Sequence, residues 1–114
     1  MLAARPRSRP RRFDPAVVFA ALGDPTRLSL VRRLSTGRPM SIARLTEGSA
    51  LTRQAVTKHL RVLESSGVVG KHRSGRESLY QLRPGAIVDM RAYLEGISRQ
   101  WDDALARLKA FVET

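Results

Sequence analysis

LTRQAVTKHLRVLESSGVVGKHRSGRESLYQL, at residues 51–82, joins a helical pattern to a hairpin pattern. At 3.6 residues per turn, Val56, Leu60 and Leu63 share one side of a helix, while polar and basic residues collect on the other. The second half alternates as two short strands around a Ser-Gly pair, which suits a tight turn. The stretch therefore predicts an amphipathic helix with a basic outer face, extended by a basic hairpin.

The positive charge of the chain is concentrated in two places. Its 114 residues include 21 Lys and Arg against 10 Asp and Glu, which gives a formal net charge of +11. Residues 1–12 contain five arginines and no acid, residues 52–76 contain six basic residues and one acid, and residues 84–114 are slightly acidic. This clustering is typical of a nucleic-acid-binding face with a separate structural element behind it. A uniformly basic protein would show no such clusters.

Several classes of protein are disfavoured by what the sequence lacks. Without cysteine there is no disulfide, thiolate metal site or cysteine nucleophile, and two histidines without a Gly-rich phosphate loop leave little to build an enzyme from. No apolar run approaches the roughly 18–20 residues that span a bilayer. The apolar segment after the Arg-rich start is too short for an export signal. We expect a cytoplasmic, non-enzymatic protein of one domain, without membrane segment, cofactor or metal.

The predicted fold is mainly α with a small β-hairpin, in the order α-α-α-α-β-β-α. Asp14 and Asp24 each stand before a proline, which suits an N-cap followed by the first helical position. Leu28, Val31 and Leu34 form the predicted core stripe of the second helix. The predicted elements are helices at about 15–22, 25–35, 42–47 and 53–66, strands at 68–73 and 76–82, and a last helix from residue 84.

The last segment predicts one long amphipathic helix. At 1.5 Å per residue it would be roughly 42 Å long, which exceeds the width of a compact domain of this size. Either a second copy covers its apolar stripe, which we favour, or the helix folds back as an intramolecular lid. The predicted dimer-interface residues are Val17 and Val18 on the first helix, and Ile87, Met90, Leu94, Ile97, Trp101, Leu105 and Leu108 on the last.

A short helix, a tight turn and a second helix, followed by a basic hairpin, describe a winged helix-turn-helix. In that arrangement the second helix enters the major groove of DNA and the hairpin reaches the backbone or the minor groove. Arginine suits guanine, glutamine suits adenine, and threonine can meet a thymine methyl group, whereas other basic residues hold phosphates. The expected base-reading residues are Arg53, Gln54, Thr57 and Lys58, and the expected phosphate contacts are Arg61, Lys71, His72, Arg73 and Arg76. For each residue the alternative is an ordinary solvated polar or charged group.

His59 lies on the same helix, between its two faces. On a helical wheel it falls about 60° from the centre of the apolar side, nearer the core than the groove. We favour a border histidine that bonds to the backbone of a neighbour, and the alternative is a direct contact with DNA.

The chain resembles the arsenical-resistance-repressor (ArsR) family of bacterial winged-helix regulators. The resemblance covers about residues 14–82 and depends on three motifs in combination: DPTR at the start of the second helix, KHLRVLESSG at the end of the recognition helix, and GR before the second wing strand. It implies a homodimeric repressor that releases double-stranded DNA when an effector binds, and it adds Thr52 to the base-reading positions. With the Arg/Pro-rich start, which has almost nothing to bury, we expect three parts: a disordered basic arm at 1–12, a winged helix-turn-helix domain at 13–83 and a dimerisation helix at 84–114.

The chain departs from the metal-sensing members of that family, many of which use cysteines or Asp/His pairs. It has no cysteine, and its last helix carries carboxylates without histidine. Carboxylates alone suit hard ions better than zinc or nickel. The resemblance is therefore to the branch without metal sites, and the effector stays unidentified.

A second hypothesis is a nonspecific nucleoid-type or RNA-binding protein driven by the arginine-rich arm. RNA readers usually expose aromatic rings for stacking, whereas most of the six aromatic residues of this chain fall at predicted core positions. On either hypothesis, residues 1–12 would follow the minor groove or the phosphates. The affinity for a palindromic promoter fragment, compared with random DNA, separates the two.

Overall fold

The structure is a computed structural model that describes residues 13–113 of the chain. Its elements are α1 (Pro15–Leu22), α2 (Pro25–Leu34), β1 (Met40–Ser41), α3 (Ile42–Thr46), α4 (Arg53–Ser65), β2 (Val69–Ser74), β3 (Glu77–Leu82) and α5 (Pro84–Glu113). The predicted mainly helical fold is confirmed, and each predicted helix and strand lies close to its expected bounds. The predicted basic arm at residues 1–12 lies outside the described residues.

Side-chain caps determine where the helices begin. The carboxylate of Asp14 accepts a hydrogen bond from the Ala16 amide at 3.1 Å, and that of Asp24 accepts one from the Thr26 amide at 2.9 Å. A proline follows each aspartate and needs no amide partner in the first turn. Thr52 caps α4 in the same way. Caps of this kind stabilise a helix by about 1 kcal/mol each.

α4 ends in a Schellman motif, a tight helix terminus built on a left-handed residue. Gly67 has a φ of 89°. Its amide donates to the carbonyl of Glu64, and the amide of Val68 donates to that of Leu63, both at 3.0 Å. Glycine adopts this conformation without the strain that a Cβ would add. The chain therefore passes from α4 directly into β2, which fixes the recognition helix relative to the wing.

The wing is part of a three-stranded antiparallel sheet in the order β1-β3-β2. β1 pairs Met40 with Tyr80 and Ser41 with Leu79. The sequence predicted only the hairpin of β2 and β3, because two residues are too few to show an alternating pattern. β1 leads directly into α3. Its pairing with β3 therefore ties the start of the helix-turn-helix to the wing.

The hydrophobic core joins the first four helices to the sheet, with Leu34, Leu60 and Leu63 fully buried. The predicted stripe of α2 is partly wrong. Leu28 is 42% exposed, and Leu30 is buried instead, because Leu30 and Leu34 are one helical turn apart and share the face that enters the core.

α5 packs only its first half against this core. None of its residues is buried. Met90 is partly buried on the core, and the ring of Tyr93 lies 6.0 Å from that of Phe13 and 5.8 Å from that of Phe19. Farther along, Trp101 is 64% exposed. The helix continues unbroken over 30 residues, so it does not fold back as a lid.

Two expectations about apolar residues need correction. Val18, predicted at a dimer interface, is 2% exposed because its side chain packs in the core of the single chain, whereas Val17 beside it is exposed. Among the aromatic residues only Tyr80 is buried, and Trp101 and Phe111 are largely exposed, so most of the rings are not at core positions.

No helix within residues 13–113 is both long enough and apolar enough to cross a membrane.

Candidate nucleic-acid interface

α3 and α4 form the helix-turn-helix, and a partly buried arginine fixes α3 to α2. Arg33 donates from Nη1 to the carbonyl of Leu45 at 2.9 Å and from Nη2 to the carbonyl of Arg44 at 3.0 Å. The last carbonyls of a helix have no partner within it, and the guanidinium of Arg33 supplies one. The apolar side of α4 is buried in the core. The opposite side of α4 is therefore presented outward from a rigid support.

The outer face of α4 carries the predicted base-reading residues. Arg53, Gln54 and Lys58 are exposed, and their side chains make no hydrogen bond or ion pair within residues 13–113. The hydroxyl of Thr57 donates to the carbonyl of Arg53 at 2.7 Å, and the hydroxyl oxygen of Thr52 caps the helix. The two threonine hydroxyls thus serve the helix itself, while the three longer side chains are available to a ligand.

Arg61 lies where α4 meets the sheet. Burial is the main reason that the pKa of Tyr80 is raised above its ordinary value. The negative charge of Glu64 raises it further, and the positive charge of Arg61 acts against both. Arg61 itself is exposed, and it also borders the groove between α1 and α4.

The tip of the wing is a two-residue turn made of Gly75 and Arg76 between the paired residues Ser74 and Glu77. Gly75 has a φ of 64°, and no residue other than glycine has a positive φ in the described part of the chain. A positive φ at the first loop position alone is the pattern of a type II′ turn, which suits the twist of a hairpin. The turn leaves Arg76 exposed at the end of the wing.

The wing cations lie on two faces of the hairpin. Lys71 is paired with Tyr80, which is buried in the core that α4 also enters, and Arg73 is two residues farther along the same face. His72 is paired with Leu79 on the opposite face. Lys71 and Arg73 therefore emerge on the α4 side of the wing, and His72 emerges on the far side.

A polar cluster that the sequence analysis missed ties α4 to α1 and α2. Nδ1 of His59 lies 3.3 Å from Nη1 of Arg27 and 3.8 Å from a carboxylate oxygen of Asp24. Nε of Arg27 donates to the carbonyl of Ala21 at 2.6 Å. His59 is thus a border residue, as predicted, but its partners are side chains and not a neighbour's backbone.

Asp24 is the anionic member of this cluster. The hydrogen bond from the Arg27 amide is the largest cause that lowers the pKa of Asp24 below its ordinary value. Partial desolvation opposes that effect, and the charges of Arg27 and His59 and the Thr26 amide add to it. The carboxylate therefore stays ionised while it caps α2.

The sequence does contain a signal for this cluster. α1 ends at Leu22 and Pro25 begins the next helix, so the carbonyl of Ala21 has no donor within its own helix. Ala21 is buried, and a buried carbonyl needs a donor. Arg27, two residues after the proline, supplies that donor.

Two open apolar grooves flank α1. One of about 510 Å³ lies between α1 and α5 and includes Phe19, Ile87 and Leu94. The other, of about 490 Å³, lies between α1 and α4 and includes Val17 and Val62. No three His, Asp or Glu side chains come together to hold a metal ion within residues 13–113. Apolar contact area is thus found at α1 and α5, and cationic area at α4 and the wing.

Comparison with known proteins agrees with this geometry. A family model described as a helix-turn-helix domain matches residues 22–70. The HTH-type transcriptional regulator Rv2034 of Mycobacterium tuberculosis is 31% identical over 101 residues, which are 89% of this chain and 91% of that protein. The HTH-type transcriptional repressor SmtB of the same species is 28% identical over 88 residues, 77% of this chain and 63% of that protein.

A solved structure adds the three-dimensional match. The ArsR-like transcriptional regulator from Rhodococcus sp. RHA1 is 34% identical and superposes with a TM-score of 0.74, covering 84% of this chain and 90% of that one. Both the Rhodococcus protein and Rv2034 align with nearly the whole described chain, including the helix-turn-helix, the wing and much of the terminal helices. From its sequence, its fold and its exposed cationic helix, the chain belongs to the ArsR family of winged helix-turn-helix, DNA-binding transcriptional regulators.

Proposed function

We propose that the chain is a homodimeric, sequence-specific repressor that reads its operator with α4 and leaves it when an effector binds. The observation that carries this proposal is the outer face of α4, where Arg53, Gln54 and Lys58 are exposed without a partner among residues 13–113. Arginine and glutamine can each make a bidentate contact with one base, guanine and adenine respectively. Long side chains that serve no packing role, on a helix whose other side is buried, suit the reading of a groove.

The wing would hold the backbone of the same duplex. Lys71 and Arg73 share the α4 side of the hairpin, and Arg61 adds an exposed positive charge on α4 itself. Contacts to phosphates fix the register of a protein on DNA without reading sequence. His72 and Arg76, on the far face and at the tip, are assigned sequence-independent contacts.

The homodimer is supported by the apolar stripe of α5. Ile87, Leu94, Trp101 and Leu108 recur at intervals of seven residues, and each is between 39% and 64% exposed. A seven-residue spacing is the seam of a helix that pairs with another helix. A second copy would cover this stripe over a helix that is about 45 Å long. The proposed interface consists of Val17, Ile87, Met90, Leu94, Ile97, Trp101, Leu105 and Leu108.

Repression and its relief are the finer parts of the proposal. The relative SmtB is named a repressor, and a dimer seated on an operator can block transcription by occupying it. An effector would release the DNA by binding better to the form of the dimer that does not fit the operator. The site of action is the cytoplasm, where the DNA of a bacterial cell lies.

Selection of binding sites tests the proposal. Purified protein is used to select duplexes from a random library, and the affinities for the selected and a random duplex are compared at about 0.15 M salt. We expect twofold-related half-sites about one helical turn apart, or a multiple of it, and a preference of at least about a thousandfold. Equal affinity for both duplexes would instead make the chain a nonspecific DNA-binding protein.

A further inference from the structure

We propose that Arg27 is a positioning residue that sets the orientation of α4 relative to α1, and thereby the operator spacing that the dimer accepts. The inference rests on the proposed function, since it assumes that α4 reads DNA and that the terminal helices form the dimer. The observation behind it is that one guanidinium contacts both helices, through Ala21 on α1 and His59 on α4.

The contact with α1 is set by the chain itself. Because α1 ends at Leu22, the carbonyl of the buried residue Ala21 has no helical donor, and Nε of Arg27 donates to it at 2.6 Å. Because a buried carbonyl without a donor is costly, this contact anchors the guanidinium at the end of α1. α1 in turn contacts α5 through the rings of Phe19 and Tyr93.

The contact with α4 runs through the same guanidinium. Nη1 of Arg27 lies 3.3 Å from Nδ1 of His59, which accepts this hydrogen bond in the neutral tautomer that carries its proton on Nε2. A carboxylate oxygen of Asp24 lies 3.8 Å from the same Nδ1 and accepts hydrogen bonds from the first amides of α2. His59 follows Lys58 on the helix, so a shift at this contact moves the base-reading end of α4.

The cluster itself is poorly suited to touch DNA. Arg27 is partly buried and already has two acceptors, and the carboxylate of Asp24 beside it would repel a phosphate. Its influence on DNA binding must therefore pass through the position of the helix. In a dimer of helix-turn-helix domains, the distance between the two recognition helices decides the half-site spacing.

Arg27→Gln tests the proposal, with Arg32→Gln as the matched control. Both variants remove one positive charge from α2, but the side chain of Arg32 is exposed and makes no hydrogen bond within residues 13–113. The probes are the duplex selected by the wild-type protein, the same duplex with its half-sites one base pair closer or farther apart, and a random duplex. We expect Arg27→Gln to weaken binding to the selected duplex about tenfold more than Arg32→Gln does, with equal effects on random DNA.

The decisive measurement is the preference among the three half-site spacings, because a loss of stability alone would not change it. The wild-type protein should prefer one spacing sharply, and Arg27→Gln should bind the three spacings more evenly. His59→Leu should behave in the same way, because it removes the acceptor on α4. His59→Asn should retain most of the wild-type preference, because its side-chain oxygen occupies nearly the position of Nδ1.

Three results would overturn the proposal. If Arg27→Gln keeps the spacing preference of Arg32→Gln, Arg27 does not position α4. The salt slope is the steepness with which the logarithm of the binding constant falls as the logarithm of the salt concentration rises. If Arg27→Gln weakens selected and random DNA alike and lowers the salt slope by about 0.9 more than the control does, Arg27 contacts a phosphate directly. If His59→Asn loses as much of the spacing preference as His59→Leu, the hydrogen bond does not connect Arg27 to α4.

Should Arg27→Gln fail to fold by circular dichroism, the two His59 variants decide. Failure of the proposed function is a separate outcome, in which the wild-type protein itself selects no duplex.

Discussion

The arginines of this chain differ in what their guanidinium groups already contact. Arg33 donates to two carbonyls of α3, and Arg27 contacts α1 and α4. Arg53 on α4 and Arg73 on β2 make no such bonds within the described residues and are exposed. A guanidinium whose donors are satisfied within the chain stabilises the fold, and one whose donors face solvent can bind an anion or a base. The positive surface is therefore smaller than the net charge of the chain implies.

Arg53→Ala and Arg73→Ala should weaken DNA binding in different ways. We expect Arg53→Ala to lower the affinity for the selected duplex by about 10–100-fold, and to relax the preference at one base pair, because it removes the proposed base contact. Arg73→Ala should weaken selected and random duplexes alike and reduce the salt slope by about 0.9, because it removes the proposed phosphate contact. Fluorescence anisotropy at several salt concentrations measures both effects. Arg99→Ala, on the exposed surface of α5, is the charge-matched control.

Asp24 makes the stability of the fold depend on pH. Because its pKa is lowered in the folded chain, its contribution to the free energy of unfolding is present above its ordinary value of 3.8. That contribution is lost as the pH falls through the lower pKa of the folded state. Asp24→Asn should therefore lower the melting temperature at pH 7, and the difference from wild type should shrink as the pH falls below 3.8. Circular dichroism melts measure this, with Asp102→Asn, a substitution of an exposed aspartate on α5, as the control. A difference that stays constant with pH would mean that the charge of Asp24 does not contribute.

At the scale of elements, the recognition helix and the wing are the parts that the sequence predicts best. Val56, Leu60 and Leu63 repeat with the helical period on one side only, and a local pattern of this kind survives in any context. α2 offers apolar residues on two sides, so its docking on the core decides that Leu30 is buried and Leu28 exposed. β1 and the contact of Arg27 with His59 depend on residues more than 30 positions away, which a local pattern cannot reveal.

Gly75 determines the shape of the wing. A Cβ at this position would meet no atom within 4 Å, so Gly75→Ala tests the backbone conformation alone. Its φ of 64° lies in the left-handed region, which costs other residues about 1–2 kcal/mol. We expect the variant to loosen the turn and weaken binding to all duplexes, while the circular dichroism signal of the helices is unchanged. Gly85→Ala, in the open first turn of α5 and without a positive φ, should bind DNA normally. Normal binding by Gly75→Ala would show that the wing tip is not needed.

At the scale of the whole molecule, α5 reaches beyond the core, because Trp101, Leu105 and Leu108 in its second half are exposed. The cationic surface of α4 and the wing and the apolar stripe of α5 are separate surfaces on the chain. A protein built in this way can bind DNA and a second copy at the same time, which is what reading a twofold-related operator requires.

Leu94→Asp should separate the two surfaces. Leu94 is 51% exposed within the single chain, so the substitution leaves the core intact, but it places a charge in the stripe that a second copy would bury. We expect a monomer by sedimentation at micromolar concentration, and an affinity for the two-half-site duplex that falls to that for a single half-site. Val88→Asp is the matched control, because Val88 is 66% exposed on the same helix but lies about 120° from the stripe. Trp101, the single tryptophan of the chain, reports the same event, since its emission should shift to the blue as the wild-type protein dimerises. A Leu94→Asp protein that remains dimeric would place the interface elsewhere than on the α5 stripe.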